Sequence, residues 1–159
     1  MDKHYLDKLE ELSNVVLYAK DINEAINKSG DLVKDIIDVD RVSIFIYENG
    51  MLWSLRADYT DKIEISENEG VVGFVAREKR EYITNDAYND EYFAKHVDMQ
   101  TGYSTKNILA VPVIDGSGRF LGVVEFINKK GDFTQKDLAF AKAYSKFISE
   151  AIKKHLGIL

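Results

Sequence analysis

Apolar residues recur at helical spacing at the start of the chain. The first segment carries one narrow apolar seam between charged positions, which is typical of an amphipathic helix that packs against a partner helix. A second amphipathic pattern occupies residues 22–37, where Asp21 is placed as the N-cap and Gly30 is unfavourable within the helix. The seam of the first segment consists of Tyr5, Leu9, Leu12 and Val16.

The end of the chain predicts a third helix, over residues 134–156. Thr134 and Asp137 are spaced as a capping box, with Asp in place of the usual Glu or Gln. The apolar positions that follow keep a helical period almost to the C-terminus. They are Leu138, Ala141, Tyr144, Phe147, Ile148, Ala151, Ile152 and Leu156.

Between the terminal helices the apolar period changes to two, which predicts strands. Residues 41–47 alternate, the pair Asn49-Gly50 is typical of a tight hairpin turn, and residues 51–59 form the returning strand. Residues 62–65 predict a further short strand.

The second half of this region contains one short helix, one long loop and a second hairpin. Residues 70–76 predict a helix that begins at a glycine, where the backbone of another group can approach closely. Residues 85–105 have no sustained period and form a long loop with one short helix over 91–97, and loops of this length tend to carry function. Residues 107–114 and 120–128 are apolar strands joined by a turn at 115–118, with Pro112 inside the first.

These elements predict an α+β fold in which helices flank an antiparallel sheet. The 159 residues suit one domain: N-terminal helices over 1–38, the sheet and its loops over 41–128, and a C-terminal helix over 134–156. The seams on the terminal helices also predict a helical homodimer interface.

Composition excludes several classes of function. The net charge of −6 counts against nucleic acid as a partner, and no apolar run is long enough to cross a membrane, so we expect a cytoplasmic protein. With no cysteine, the chain can form no disulfide, thiolate metal site or cysteine nucleophile. The three histidines are scattered, and nucleophile-elbow, Walker and dinucleotide motifs are absent, so neither a metal nor catalysis is indicated.

Three stretches carry a resemblance to a known family. They are G-V-V-G-F-V-A at residues 70–76, D-A-Y at 86–88, and V-D-M-Q-T-G-Y-S-T-K-N-I-L at 97–109. The chain resembles a GAF domain, and in particular the regulatory GAF domains of cyclic-nucleotide phosphodiesterases and bacterial adenylate cyclases. The family's closing N-K-F-D-E set corresponds to Asn128, Lys129, Phe133 and Asp137, but residue 138 is Leu instead of Glu.

The resemblance implies a sheet with helices on one face and, on the other, a pocket that a loop covers. It implies binding of a cyclic nucleotide, without catalysis, and a signal relayed through the terminal helices to an attached or partner output domain. The backbone N–H groups at the start of the helix over 70–76 would face the cyclic phosphate, as helix N-termini do for anions. The ligand-binding residues that it implies are Ser43, Ala57, Asp58, Val71, Val72, Ala94, Asp98, Thr101, Thr105 and Glu125.

Asp58 is the residue expected to select the base. An ionised carboxylate only accepts hydrogen bonds, and guanine presents adjacent N1–H and N2–H₂ donors, whereas adenine presents an acceptor at N1. This favours cGMP over cAMP. The alternative for Asp58 is a solvated turn aspartate, since polar residues surround it.

Other residues also leave two interpretations. Thr101 and Thr105 are either ligand contacts or threonines that bond the local backbone. Glu125 is polar within an apolar strand, so it faces either solvent or the cavity. Ala94 stands where the family sometimes carries a bulky aromatic residue.

Two other functions stay open. The chain could be a dimerisation module whose surface is the seam at Leu9, Leu12 and Val16, or a sensor of a different small metabolite, because fold does not fix function. Family branches that reduce methionine sulfoxide or attach bilins depend on cysteine, which this chain lacks.

Overall fold

The computed structural model of the chain describes residues 3–94 and 103–157. Within these ranges no helix has both the length and the apolar character needed to span a bilayer. The helices are α1 (Lys3–Leu17), α2 (Ile22–Ile37), α3 (Gly70–Glu78) and α4 (Gln135–Leu156), with one 3₁₀ turn at Ala87–Asn89. The strands are β1 (Val39–Glu48), β2 (Met51–Ala57), β3 (Glu64–Ser66), β4 (Tyr82–Thr84), β5 (Ile108–Ile114) and β6 (Phe120–Lys129).

The six strands form one antiparallel sheet in the order β3-β2-β1-β6-β5-β4. Both predicted hairpins are confirmed. Asn49 and Gly50 take φ values of 50° and 80°, as the tight β1–β2 turn requires. In the β5–β6 turn the Asp115 carboxylate accepts hydrogen bonds from the backbone of Ser117 and Arg119, at 2.9 and 3.0 Å. Local sequence therefore determines both connections.

The predicted helix caps are also confirmed. The Asp21 side chain accepts a hydrogen bond from the Glu24 N–H at 2.8 Å and caps α2. Thr134 and Asp137 form both halves of a capping box at the start of α4. Each cap satisfies backbone donors that the first turn of a helix leaves unpaired, so both helix starts are fixed by neighbouring residues.

Helix α2 continues through Gly30 because a side chain from the sheet lies against it. A Cβ atom at residue 30 would clash with the guanidinium of Arg56. The glycine thus makes room for the Arg56 guanidinium, which donates to the Asn27 carbonyl of the same helix at 3.0 Å. A tertiary contact therefore explains why a residue with unfavourable helix propensity occupies position 30.

The two faces of the sheet have different roles. Helices α1, α2 and α4 cover one face, where the main core is built from residues such as Leu12, Val33, Phe126 and Tyr144. Helix α3 packs on the other face and forms a smaller core with residues such as Phe45, Val75 and Val123. This is the predicted α+β arrangement, and it leaves the second face with space beside α3.

The structure corrects several boundaries. The second strand ends at Ala57, before Asp58, and the short strand β4 was not predicted. Of the helix expected over 91–97, residues 91–94 form a turn and an irregular segment instead, and residues 95–97 lie outside the described residues. Pro112 is tolerated within β5 because β4 pairs with it only from Ile108 to Ala110.

The apolar seam of α1 packs within the chain. Leu12 and Val16 are buried and Leu9 is partly buried against the core formed with α2 and α4. The exposed apolar residues of α1 are Leu6 and Leu17. The expectation that Leu12 and Val16 form a surface for a second copy is therefore wrong, because these residues are covered by the chain's own helices.

Candidate ligand-binding site

A cavity of about 370 Å³ lies between the second face of the sheet and the start of α3. Its volume is within the range of small-molecule sites, roughly 300–1,000 Å³. Strand β1 contributes Arg41, Ser43 and Phe45 to its wall, and β6 contributes Glu125 and Ile127. The residues come from alternate positions of each strand, because successive side chains of a strand point to opposite faces.

Ser43 and Glu125 form the polar part of the sheet wall. They are cross-strand partners in the β1–β6 ladder, and Glu125 is also opposite Ala110 on β5. Of the two interpretations for Glu125, the structure supports the one that faces the cavity. Burial raises the pKa of its carboxyl group to about 7, because an enclosed carboxylate loses hydration that the neutral acid does not need.

The start of α3 forms the opposite wall. Gly70, Val71 and Val72 line the cavity, and Gly70 takes a φ of 66°. The preceding residue, Glu69, forms no side-chain hydrogen bond that caps the helix. The first N–H groups of a helix have no acceptor within it and lie at its positive dipole end, so this wall is suited to an anionic group.

Asp58 lines the cavity, but its carboxylate already has three partners. Oδ2 accepts from the Val42 N–H at 2.9 Å and lies 3.5 Å from Lys34 Nζ on α2, and Oδ1 accepts from Arg56 Nε at 3.1 Å. Arg56 is nearly buried and also donates to Asp31 on α2 at 2.9 Å. The interpretation of Asp58 as a solvated turn aspartate is therefore wrong. To bond a base, Asp58 would have to leave these donors.

Arg41 and Tyr103, which were not predicted, line the cavity, and Tyr59 lies beside Arg41. The Arg41 guanidinium carbon lies 3.4 Å from the centre of the Tyr103 ring and 5.2 Å from that of Tyr59. The Tyr103 hydroxyl donates to Asp40 at 2.7 Å. Burial is the largest cause that raises the pKa of the Tyr103 hydroxyl, and the hydrogen bond to Asp40 raises it further. The sequence could have indicated that Arg41 lines the cavity, because it lies two residues before Ser43 and therefore on the same face of β1.

The predicted closing motif has a structural role around the cavity. Asn128, at a φ of 62°, donates through Nδ2 to the Ser104 carbonyl at 2.8 Å and accepts through Oδ1 from the Lys106 N–H at 2.6 Å. It thereby fixes the strand-proximal end of the loop that leads into β5. Lys129 and Asp137 form an ion pair between β6 and α4.

Phe133 and Asn85 complete this structural set. Phe133 is buried in the main core, and its N–H donates to the Asn85 side chain at 2.8 Å. Asn85 was not predicted to have this function; it lies next to the D-A-Y stretch. The contact joins the loop after β4 to the start of α4.

The remaining predicted ligand-binding residues have different positions. Ala94 and the buried Thr105 line the cavity, whereas Ala57 pairs with Ser43 in the β1–β2 ladder and is not part of the lining. Asp98 and Thr101 lie outside the described residues. Most of the predicted set is thus brought together around one cavity, with Ala57 as the exception among the described residues.

Comparison with known proteins identifies relatives of the whole domain. The model of the GAF domain family matches residues 21–152. The dual 3′,5′-cyclic-AMP and -GMP phosphodiesterase 11A of Takifugu rubripes is 27% identical over 94% of this chain and 19% of its own length. A probable 3′,5′-cyclic phosphodiesterase, pde-5, of Caenorhabditis elegans is 29% identical over 73% of the chain and 18% of its own length. The chain thus spans less than a fifth of these relatives.

Solved structures share the fold at low sequence identity. The GAF domain of a phosphoenolpyruvate-protein phosphotransferase from Acinetobacter superimposes with a TM-score of 0.84 at 19% identity and covers 99% of both chains. A free methionine-R-sulfoxide reductase from Neisseria meningitidis, solved with its substrate, has a TM-score of 0.82 at 14% identity over 100% of this chain and 95% of its own. The same fold therefore occurs in a domain of a phosphotransferase and in a methionine sulfoxide reductase, so the fold alone does not give the function.

Proposed function

The chain belongs to the GAF domain family, and on that premise we propose that it is a sensing domain whose cavity binds a cyclic nucleotide. The observation that carries this proposal is the arrangement of the cavity, in which the uncapped start of α3 faces the wall that contains Ser43 and Glu125. The names of the phosphodiesterase relatives support the ligand class. In this proposal the chain binds its ligand and does not transform it.

The two walls match the two ends of such a ligand. The cyclic phosphate accepts hydrogen bonds from the N–H groups at residues 70–72, where the helix dipole also favours a negative charge. The base then lies toward the sheet, within reach of the Ser43 hydroxyl and the Glu125 carboxyl group. Apolar residues of the lining, such as Phe45 and Ile127, contact the faces of the base.

The preference for cGMP is part of the proposal, but it rests on a different residue from the one expected. Asp58 is occupied by Val42, Arg56 and Lys34. Glu125 has no hydrogen bond or ion pair with any described residue, so its carboxylate is available to the N1–H and N2–H₂ donors of guanine.

Contacts between the cavity and α2 provide a route for the signal. Asp58 lies in the lining and is joined to α2 directly through Lys34 and indirectly through Arg56 and Asp31. A ligand that displaces Asp58 changes the partners of both cations and thereby the packing of α2. We propose that this change passes through the terminal helices to an output domain or to a second copy of the chain.

A dimerisation module without a ligand is less well supported. The residues proposed for that surface include Leu12 and Val16, which are buried against the chain's own helices. A sensor of another small metabolite uses the same cavity, so the choice of ligand has to be tested directly.

A titration followed by ¹H–¹⁵N NMR tests the proposal and locates the ligand. With cGMP or cAMP we expect the amide signals of Ser43, Val71, Val72 and Glu125 to shift, while that of Ser117 in the β5–β6 turn stays in place. 5′-GMP, which has no cyclic phosphate, is the comparison ligand. If neither cyclic nucleotide moves the signals of the cavity, or if the shifts occur only outside it, the proposal is wrong.

A further inference from the structure

Glu125 is the one member of the polar sheet wall whose charge can change near neutral pH. It lies on β6, between β1 and β5, opposite Ser43 and Ala110. In the described ranges 3–94 and 103–157 it makes no hydrogen bond and no ion pair. Its two oxygens therefore face the cavity without a protein partner from these ranges, and a ligand base is the group that would supply one.

The surroundings of Glu125 allow its carboxyl group to be neutral near neutral pH. Strand β5 and helix α3 contribute only uncharged residues to the described lining. Burial is the cause that raises the Glu125 pKa to about 7. Arg41, the cation of the described lining, is stacked on the Tyr103 ring. The charged and titratable groups that line the cavity elsewhere are Arg41 on β1, Asp58 after β2, Glu64 on β3, Glu69 before α3, and Tyr103 before β5.

The two protonation states of a carboxyl group differ in the bases that they match. An ionised carboxylate offers two acceptors, which suit the N1–H and N2–H₂ donors of guanine. The neutral acid offers one O–H donor and one carbonyl acceptor, which suit the N1 acceptor and the N6–H₂ donor of adenine. An ionised carboxylate opposite adenine N1 places two acceptors together with no proton between them, and this costs about one to two decades of affinity. The neutral acid also fits guanine, because it can donate to O6 and accept from N1–H, so only the ionised form discriminates between the bases.

We propose that Glu125 determines which base the cavity accepts, and that its ionisation changes the cavity from one that accepts adenine and guanine alike to one that favours guanine. The inference rests on the proposed function, since it needs a cyclic nucleotide in this cavity. It adds to the proposed role of Glu125 a dependence of ligand choice on pH.

The test measures the ratio of the dissociation constants of cAMP and cGMP by calorimetry at about pH 6 and about pH 8. Both ligands carry the same cyclic phosphate, so effects of other titrating groups on phosphate binding cancel in the ratio. We expect the ratio to rise by about tenfold or more between the two pH values. In Glu125→Gln, whose amide offers one donor and one acceptor like the neutral acid and stays uncharged, we expect a ratio that does not change with pH.

Glu48→Gln is the matched control, because it neutralises an exposed carboxyl group at the end of β1, outside the lining, and should keep the pH dependence of the ratio. The inference is overturned if both nucleotides bind and the wild-type ratio stays constant, or if the dependence persists in Glu125→Gln. If neither nucleotide binds at either pH, the proposed function itself fails. The wild-type series decides between these outcomes even if the variant does not fold.

Discussion

At the scale of single residues, Glu125 combines a place in the sheet with a group that is costly to charge there. It lies on β6 between two paired strands, and its carboxyl group forms part of the cavity wall. Removing hydration from a carboxylate disfavours the ionised form, and no described cation offsets this by an ion pair. The unliganded protein therefore becomes less stable when Glu125 ionises.

We predict that the free energy of unfolding falls as the pH rises from about 5 to about 8, and that Glu125→Gln reduces this fall. The ordinary pKa of 4.5 applies to the unfolded chain and the raised value of about 7 to the folded one, so the unfolded state releases the proton first. At pH values above the pKa of the folded state, the free energy of unfolding is lower by about 3 kcal/mol, since each pKa unit corresponds to about 1.4 kcal/mol. Urea unfolding at both pH values measures it, and parallel curves for the two proteins would contradict the prediction.

The position of Glu125 shows how far sequence could locate the site. Alternation along β1 and β6 limits each side chain to one of two faces, but it does not tell which face has the cavity. The family resemblance supplied that choice for Ser43 and Glu125, whereas Arg41 shares their face and carries no motif. The sequence could not predict the partners of Asp58, because they come from α2 and from two separate strands.

At the scale of elements, Arg56 joins helix α2 to the end of strand β2. Its guanidinium lies against Gly30, donates to the Asn27 carbonyl and pairs with Asp31 and Asp58. The side chain is 7% exposed and Asp58 is 13% exposed, so both charges of this pair are largely removed from water. Each charge of such a pair is compensated by the other. The loss of one member therefore leaves the other charge buried without a counter-charge.

We predict that Arg56→Met lowers the free energy of unfolding by about 3 kcal/mol or more, because it leaves Asp58 without its main cation. Asp31→Ala is the control at the other end of the same guanidinium. Asp31 is 76% exposed, so this change should cost less than about 1 kcal/mol. Equal effects of the two substitutions in urea unfolding would show that the buried pair is not what holds α2 to β2.

Elements whose boundaries depend on neighbouring residues could be predicted, and those fixed by distant contacts could not. The caps at Asp21 and Thr134 and the turn at Asn49 are local, since their hydrogen bonds or φ values involve adjacent residues. Strand β4 has only three residues and exists by pairing with β5, so its own pattern is too short to detect. Likewise Gly30 is explained only by Arg56, which lies 26 positions further along the chain.

At the scale of the whole molecule, the sheet separates a helical layer from the cavity. Helices α1, α2 and α4 pack on one face, and α3 with the cavity lies on the other. The ion pairs of Asp58 with Lys34 and Arg56 connect the two sides at the end of β2. This layout suits a domain that detects a small molecule on one side and transmits its presence on the other.

Calorimetric titration of the purified domain with cGMP and with cAMP, near pH 7, tests this account most directly. We expect at least one of them to bind with a dissociation constant at or below about 1 μM, or about −8 kcal/mol. Ser43→Leu, which places a larger side chain in the cavity wall, should abolish the heat of binding, whereas Ser117→Leu in the exposed β5–β6 turn should leave it unchanged. Circular dichroism confirms that both variants are folded. The absence of heat with either nucleotide, together with an unchanged melting temperature, would contradict the account.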